Sequence, residues 1–308
     1  MRAIKGGGRV LLQTERMSEP IINKTMDRAD LDSPQARRIV AELNDLIRTL
    51  QARGLVVSSW YGALDLPPAV RTLERVNRGM GYEPLPDAAD DSRFPWFLYW
   101  EIAWVAMHAD FRPGQSVLDL GGSSSLFSFY LASKGCRVTT VDLQAHLVDN
   151  ANCVAKAMGW AMDNRVMDMR ALAFGQQFDH VTSICVLEHL MPSDRKAAVA
   201  QAGACLRPGG RLSITFDYRN PARTMRIASP RDVEEQFILP SGLRVRGNRV
   251  FADAVPDYLF QPFYFEQPFR FWKYKALSVL RGDFRVWEFL RVKRHNDYTF
   301  GALFLEKL

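Results

Sequence analysis

The sequence predicts an α/β fold: a doubly wound, mostly parallel sheet with a C-terminal antiparallel hairpin and a helical N-terminal extension. From residue 115 onward, short β-rich runs alternate with helical stretches, which is the pattern of βαβ units. The residues before them have a mainly helical pattern. With 308 residues, 47% of them hydrophobic, the chain can bury one large core or two unequal ones, which excludes a disordered or fibrous protein.

The N-terminal extension begins with an arm and a capped helix. Residues 1 to about 30 show no clear period, so we expect a partly ordered arm. Ser33 can cap the next helix, Pro34 suits its first helical position, and Gly54 ends it. One apolar stripe lies between these signals, formed by Ile39, Val40, Leu43, Ile47 and Leu50.

Two further helices are predicted before the sheet begins. One starts at residue 67 and ends near residue 79, and the other runs from residue 95 to residue 105. The second is apolar and aromatic, but Glu101 interrupts it and it is shorter than the ~18 residues needed to cross a bilayer. We therefore expect a buried helix, in which Tyr99, Trp100 and Glu101 either belong to the core or cover a ligand pocket.

Five strands and a hairpin are expected in the remaining chain. The strands lie near 116–120, 137–142, 165–168, 180–186 and 211–216. The alternating runs 285–290 and 298–306, joined by a polar turn, predict the hairpin. We divide the chain into an N-terminal arm with a helical extension (1–94) and a sheet domain (95–308).

Charge and cysteine content exclude several classes of protein. The segment 206–308 has 18 Lys and Arg against 11 Asp and Glu, so the net charge of +6 arises in the last third. This basic excess favours anionic partners but is too weak to indicate nucleic acid. The four cysteines form no CxxC pair, so we expect reduced core thiols and no metal site. No signal-peptide pattern is present at the N-terminus, which predicts a cytoplasmic protein.

A loop of glycine and serine follows the first predicted strand directly. Gly121 and Gly122 are followed by three serines, and a helix begins there. Small residues let a ligand approach the backbone, and free N–H groups at a helix N-terminus can donate hydrogen bonds to it. The loop therefore suits a nucleotide-type ligand, although a tight strand-to-helix turn needs small residues without any ligand.

Two acidic residues narrow the choice of ligand. Asp142 ends the second predicted strand, 23 residues after Asp119, where a carboxylate can accept hydrogen bonds from both hydroxyls of a ribose. A dinucleotide site needs GxGxxG, but Ser123 and Leu126 occupy the later glycine positions. Asp119 should repel a diphosphate and attract a cation such as S-adenosylmethionine, which has an ammonium and a sulfonium.

The ordered motifs of residues 95–308 resemble those of the class I S-adenosylmethionine-dependent methyltransferases, which have a Rossmann-like fold. The matching runs are VLDLGG at 117–122, TVD at 140–142, DMRALAF at 168–174, FDHV at 178–181, VLEHL at 186–190 and LRPGGRL at 206–212. The resemblance implies a methyltransferase with S-adenosyl-L-methionine as its cofactor. It also implies a final antiparallel strand at 300–307.

The resemblance assigns roles to individual residues. Asp119 and Gly121 would bracket the methionine end of the cofactor, and Asp142 would hold its ribose. Asp168 would accept a hydrogen bond from the adenine amine, with Met169 packing on the base or donating to it. Further cofactor contacts are expected from Gly122, Ser123, Leu143 and Val186.

The loop departs from the family at Ser123 and Ser125, where glycine is usual. The serines would keep the backbone farther from the cofactor or contribute their hydroxyls instead. Two alternatives therefore stay open: a cofactor-binding domain of this fold without transfer activity, and an NAD-dependent dehydrogenase. The dehydrogenase is the weaker alternative because the loop lacks the required glycines.

Methyl transfer from a sulfonium depends mainly on alignment and on the exclusion of water. An acceptor hydroxyl of high pKa also benefits from a general base. His189, just beyond the fourth predicted strand at the carboxyl edge of the sheet, is the first candidate catalytic residue, and Asp217 and Tyr218 are second choices. His108 and His180 are expected to be ordinary surface or capping residues.

The acceptor side is indicated by the aromatic content near the C-terminus. Residues 251–300 contain 15 of the 35 aromatic residues, interleaved with Arg270, Lys273 and Lys275. An insert near 250–292 would pack over the sheet, close over an acceptor or contact a membrane surface. We expect a small-molecule, glycan or lipid-linked acceptor. Nucleic acid is not expected, because VLEH replaces the Asn/Asp-Pro-Pro-aromatic motif of enzymes that methylate its amino groups.

Overall fold

The computed structural model describes residues 20–60, 62–64, 93–220, 227–253, 276, 280 and 299–308. Its strands are β1 (Lys24–Thr25), β2 (Ser116–Leu120), β3 (Arg137–Asp142), β4 (Met162–Val166), β5 (Phe178–Ile184), β6 (Leu206–Tyr218), β7 (Arg244–Val245) and β8 (Thr299–Glu306). They form an eight-stranded sheet of order β1-β8-β6-β5-β2-β3-β4, and β7 also pairs with β8.

The middle of the sheet is parallel and one side of it is antiparallel. β2 pairs in parallel with both β3 and β5, β3 with β4, and β5 with β6, whereas β8 runs antiparallel to β6. The parallel part starts in the middle at β2, continues outward to β4 and then returns to β5 on the other side of β2. Ligands of such sheets bind at the carboxyl ends of the strands where the winding reverses. The predicted doubly wound fold and its antiparallel final strand are confirmed.

Three strand boundaries differ from those predicted. β4 lies at Met162–Val166 rather than 165–168, because it pairs with β3 from Met162 onward. β5 spans Phe178–Ile184 rather than 180–186, because the backbone turns at Cys185, which has a φ of 55°. β6 is longer than predicted, at Leu206–Tyr218. The predicted strand 285–290, the helix 67–79 and most of the 250–292 insert lie outside the described residues.

Helices cover both faces of the sheet. They are α1 (Pro34–Ala52), α2 (Trp96–Ala109), α3 (Leu126–Ser133), α4 (Ala145–Met158), α5 (Pro192–Cys205) and a helical segment at 230–241. α1 begins as predicted, with Ser33 Oγ accepting a hydrogen bond from Ala36 N at 3.2 Å, and Gly54 follows its end with a φ of 68°. α1, α2 and α3 bury their apolar residues against one face, and α5 and the 230–241 segment pack on the other. None of the described helices is long and apolar enough to cross a membrane.

The chain before α1 is more ordered than we predicted from residue 22 onward. Asn23 Oδ1 accepts a hydrogen bond from Phe304 N at 2.7 Å, and Asn248 Oδ1 accepts one from Asn23 N at 2.9 Å. β1 then pairs with β8, and a 3-10 turn at Arg28–Asp32 leads into α1. The strand is two residues long, so it leaves no periodicity in the sequence. Residues 1–19 lie outside the described part of the chain, and the domain boundary at 94 stays a prediction.

Two expectations for single residues were wrong. His180 is 2% exposed rather than a surface residue, because β5 carries it between other strands of the sheet. This burial lowers the pKa of His180 to about 4. All four cysteines are free, as expected, but Cys153 is exposed on α4 and is not a core thiol.

Candidate functional site

Asp119 lies beneath the loop that follows β2, and its carboxylate is turned inward. The residue is 1% exposed. Its Oδ1 accepts a hydrogen bond from Thr182 Oγ1 at 2.8 Å, and its Oδ2 accepts one from Ser128 Oγ at 2.6 Å. Burial raises the pKa of Asp119 to about 6. The carboxylate therefore ties β5 and α3 to the loop, and its contact with the cofactor stays a prediction.

The two glycines of the loop lie where no side chain fits. Gly121 has a φ of 74°, and a Cβ on it would lie 2.6 Å from Val186 Cγ1. A Cβ on Gly122 would lie 1.8 Å from Asp119 Oδ2. The loop therefore passes between Val186 and the Asp119 carboxylate with its backbone against both.

The hydroxyl of Ser123 points into the protein. Ser123 Oγ lies 2.7 Å from Thr140 Oγ1, and Thr140 Oγ1 donates to Asn164 Oδ1 at 2.8 Å. Since the Thr140 proton is used in that bond, Ser123 is the donor to Thr140. These two hydrogen bonds join the underside of the loop to β3 and β4. Sequence reasoning left two roles open for the serine, and in the structure its hydroxyl binds the protein itself.

The next two serines also bind the protein. Ser124 has a φ of 63°, a left-handed conformation that costs a non-glycine residue roughly 1–2 kcal/mol. Its Oγ donates to Leu147 O at 2.6 Å. Ser125 caps α3, since its Oγ accepts a hydrogen bond from Ser128 N at 3.0 Å. Hydroxyl groups, rather than additional glycines, therefore set the conformation of this part of the loop.

Asp142 stands beside the loop, at the end of the neighbouring strand. It is the last residue of β3, and Gly121 N donates to Val141 O at 2.8 Å, which places the two chain segments side by side. Asp142 is 7% exposed, and its Oδ1 accepts a hydrogen bond from Gln144 N at 2.9 Å. Burial raises its pKa. Leu143 follows with 65% of its surface exposed, which leaves an apolar side chain at this edge.

Asp168 is paired with an arginine in the structure. Arg170 Nε lies 3.0 Å from both carboxylate oxygens, and Arg170 Nη2 donates to Oδ2 at 2.6 Å. These bonds hold the pKa of Asp168 below its usual value. An adenine amine would have to share the carboxylate with the guanidinium, so the predicted role of Asp168 stays a prediction. Met169, the expected neighbour of the base, is half-buried next to it.

The turn after β5 is held by a buried arginine that sequence reasoning missed. Arg195 of α5 is fully buried, with Nε donating to Leu187 O at 2.9 Å and Nη2 to Leu190 O at 3.0 Å. It fixes the 3-10 turn Leu187–His189, which follows Val186. His189 is exposed on this turn at the carboxyl edge. Nothing in the sequence separates Arg195 from a surface residue, because it stands in a polar run at the start of a helix.

A buried polar cluster lies next to this turn. Glu101 of α2 is 1% exposed, and its Oε1 accepts a hydrogen bond from Thr215 Oγ1 at 2.6 Å. Burial raises the pKa of Glu101 well above its usual value. Ligand atoms of Cys185, Glu188 and Asp217 lie within 4.8 Å of one another, a spacing that could hold a cation. The sequence signal for this cluster was Glu101, a lone charge in an apolar helix.

The second-choice bases face opposite sides of β6. Asp217 points to the Glu101 side, where Cys185 Sγ lies 3.7 Å from its Oδ1 and Asn220 Nδ2 donates to its Oδ2 at 2.6 Å. The hydroxyl of Tyr218 donates to Asp253 Oδ2 at 2.9 Å on the other face. Alternation along a strand produces this separation, so Asp217 is the better placed of the two.

Replacing Asp119 with asparagine should remove one source of pH dependence in folding stability. The folded-state pKa of about 6 lies above the usual 3.8, so between these values the folded protein binds more protons than the unfolded chain. Wild type should therefore lose about 2 kcal/mol relative to the variant between about pH 4.5 and about pH 7.5. Urea unfolding of both proteins at these two pH values measures the difference. If the difference in unfolding free energy between wild type and variant is the same at both pH values, the raised pKa of Asp119 is contradicted.

Part of the chain matches a known protein family. A family model described as "Methyltransferase domain" matches residues 117–210, which run from β2 into β6. A ubiquinone biosynthesis O-methyltransferase of Xanthomonas euvesicatoria pv. vesicatoria is 36% identical over 111 residues, covering 35% of this chain and 46% of that protein. One from Idiomarina loihiensis is 33% identical over 121 residues, covering 39% and 49%. Residues 117–210 therefore carry a methyltransferase domain.

The methyltransferase domain is also similar to solved structures in its fold. A putative sarcosine dimethylglycine methyltransferase from Galdieria sulphuraria has a TM-score of 0.50 at 15% identity, over 78% of this chain and 98% of that one. The cyclase SpnF has a TM-score of 0.51 at 14% identity, over 95% and 99%. The chain spans about half the length of the curated relatives it matches. The Rossmann-like architecture expected from the motifs is confirmed.

Proposed function

We propose that the protein is an S-adenosylmethionine-dependent methyltransferase acting on a small molecule, a glycan or a lipid-linked intermediate. The observation that carries this proposal is the pairing of the Gly121-Gly122 loop with Asp142 at the carboxyl ends of β2 and β3. A backbone surface without side chains lies beside a nearly buried carboxylate. This combination suits an adenosyl group whose ribose hydroxyls need acceptors.

The residues of the site fit this cofactor. A Cβ at Gly121 or Gly122 would collide with Val186 or Asp119, so the path of the loop depends on glycine at both positions. Asp142 would accept hydrogen bonds from the ribose, and the exposed Leu143 would contact the base. The bound cofactor supplies a methyl group already activated by a sulfonium.

The protein's own contribution is alignment and, for some acceptors, proton removal. Arg195 fixes the 3-10 turn Leu187–His189, and this turn would hold the preceding Val186 in place against Gly121. His189 would take the proton of a hydroxyl acceptor arriving from solvent, because it is exposed on that turn. Asp217 would serve an acceptor that reaches the buried cluster. Relatives named O-methyltransferases make oxygen the first acceptor atom to test.

The alternative is a domain of this fold that binds the cofactor without transferring its methyl group. One observation favours it: a solved structure that covers 95% of this chain is named as a cyclase, so the fold does not by itself fix the reaction. The matched segment 117–210 contains the loop 121–125, here called the cofactor loop, but little of the chain that would bind an acceptor.

Thermal unfolding with added ligand tests the proposed cofactor. S-adenosylhomocysteine at about 100 times its Kd should stabilise the protein by about 2.7 kcal/mol and raise Tm, because it binds only the folded state. A nicotinamide dinucleotide at the same concentration should leave Tm unchanged. A shift with the dinucleotide alone would contradict the proposal.

Transfer itself needs a second measurement. Incubation with methyl-labelled S-adenosylmethionine and fractionated small molecules, lipids and glycans should move label into one fraction. Tight binding with no label transferred to any fraction would favour the cofactor-binding alternative.

A further inference from the structure

Ser124 is held in its left-handed conformation partly by the N-terminal extension. Its carbonyl oxygen accepts two hydrogen bonds from Ser58, one from the backbone N at 2.8 Å and one from Oγ at 3.0 Å. Both side chains are nearly or fully buried, with Ser58 5% exposed and Ser124 0% exposed. A residue more than sixty positions earlier in the chain therefore contacts the cofactor loop through its main chain.

Asn150 of α4 makes a second connection between the same two segments. Its Nδ2 donates to Ser124 Oγ and to Val56 O, each at 2.9 Å. One amide group thus joins the loop, the helix after β3 and the N-terminal extension. Ser124 Oγ in turn donates to Leu147 O on the same helix.

The residues 56–60 are themselves fixed on their other side. Val57 is 3% exposed in the core. Trp60 N donates to Arg93 O at 3.1 Å, and the Trp60 ring lies 5.0 Å from the Phe97 ring in an edge-on arrangement. The segment 56–60 therefore connects the beginning of α2 to the cofactor loop.

We propose that the segment 56–60 positions the cofactor loop, with Ser58 and Asn150 as positioning residues for S-adenosylmethionine binding. The inference rests on the proposed function. A left-handed serine persists only where its surroundings determine its conformation. A loop already held in its bound shape binds more tightly, because less ordering remains to be done on binding. The N-terminal extension is then a component of the cofactor site.

The test compares Ser58→Ala and Asn150→Ala with a matched control. Ser133→Ala also removes a serine hydroxyl that donates to a backbone carbonyl, at 2.7 Å, but at the far end of α3. We expect each of the first two variants to weaken S-adenosylhomocysteine binding about fivefold in calorimetry, because each loses one hydrogen bond to Ser124 of the loop. The control and Ser58→Thr, which keeps the hydroxyl, should bind within about twofold of wild type.

A readout without cofactor separates this inference from the proposed function. In the free protein, amide hydrogen exchange of residues 121–129 should be faster in Ser58→Ala and Asn150→Ala than in wild type and Ser133→Ala. Unchanged exchange and unchanged affinity in both variants would overturn the inference while leaving the proposed function intact. If wild type binds no S-adenosylhomocysteine, both the proposed function and the role in cofactor binding fail, whatever the exchange shows about loop order.

Discussion

Asp142→Ala should weaken S-adenosylhomocysteine binding by about 100-fold while the protein still folds. The carboxylate is expected to accept both ribose hydroxyls, and hydrogen bonds to a charged group contribute about 1.5–3 kcal/mol each. Two such bonds lost together correspond to roughly 3 kcal/mol at the lower limit, or about 100-fold in Kd. Calorimetric titration of wild type and variant measures the change.

Two further variants make this result specific. Asp142→Asn keeps one acceptor oxygen at the same place and should bind with intermediate affinity. Asp149→Ala removes an exposed carboxylate from α4, seven residues after Asp142, and should change nothing. The free Asp142→Ala protein loses only local bonds to the carboxylate, from the backbone of Gln144 and Leu143, so its Tm should stay close to that of wild type. Unchanged affinity in Asp142→Ala would place the ribose elsewhere.

Gly122→Ala should destabilise the fold by about 3 kcal/mol and abolish cofactor binding at ordinary concentrations. The added Cβ would lie 1.8 Å from Asp119 Oδ2 and 2.9 Å from Ser128 Oγ. The carboxylate would have to leave its place, which breaks its bonds to Ser128 and Thr182. The loop would then lose its support from below. Urea unfolding and calorimetric titration measure the two effects.

A matched glycine and a double variant test the cause. Gly175→Ala adds a Cβ where no atom lies within 4 Å, so its stability should equal that of wild type. If the clash with the carboxylate is the reason, Asp119→Ala should make room for the new methyl group. The pair Asp119→Ala and Gly122→Ala should then cost less together than the sum of the two single changes. If the losses of unfolding free energy in the two single variants add up to the loss in the double variant, the clash is not the cause.

The sequence was sufficient to predict those parts of the fold that have a local signal. Ser33, Pro34 and Gly54 mark the ends of α1, and the bounds of β2 and β3 were as predicted. β4 was displaced because its limits depend on pairing with β3 rather than on its own residues. β1 was missed for the same reason, since the chain beside it is held at Asn23 by Asn248 and Phe304, which are distant in the sequence.

In the candidate site, too, only the residues with a local sequence signal could be predicted. Gly121, Gly122 and Asp142 could be found because strand ends and small residues are local features. The inward orientation of Asp119 could not, because it depends on hydroxyls contributed by α3 and β5. Asp168 and Arg170 are two residues apart in the sequence, but the sequence does not show that their side chains form an ion pair.

The position of β8 has a consequence for how the chain folds during synthesis. This strand contains residues 299–306, yet it lies inside the sheet, between β1 and β6. A nascent chain can assemble β2 through β6 first, but that edge of the sheet stays open until residue 306 has left the ribosome. Pairings this distant in sequence form slowly and expose unpaired strand edges in the meantime. Truncated or slowly translated chains should therefore need chaperones.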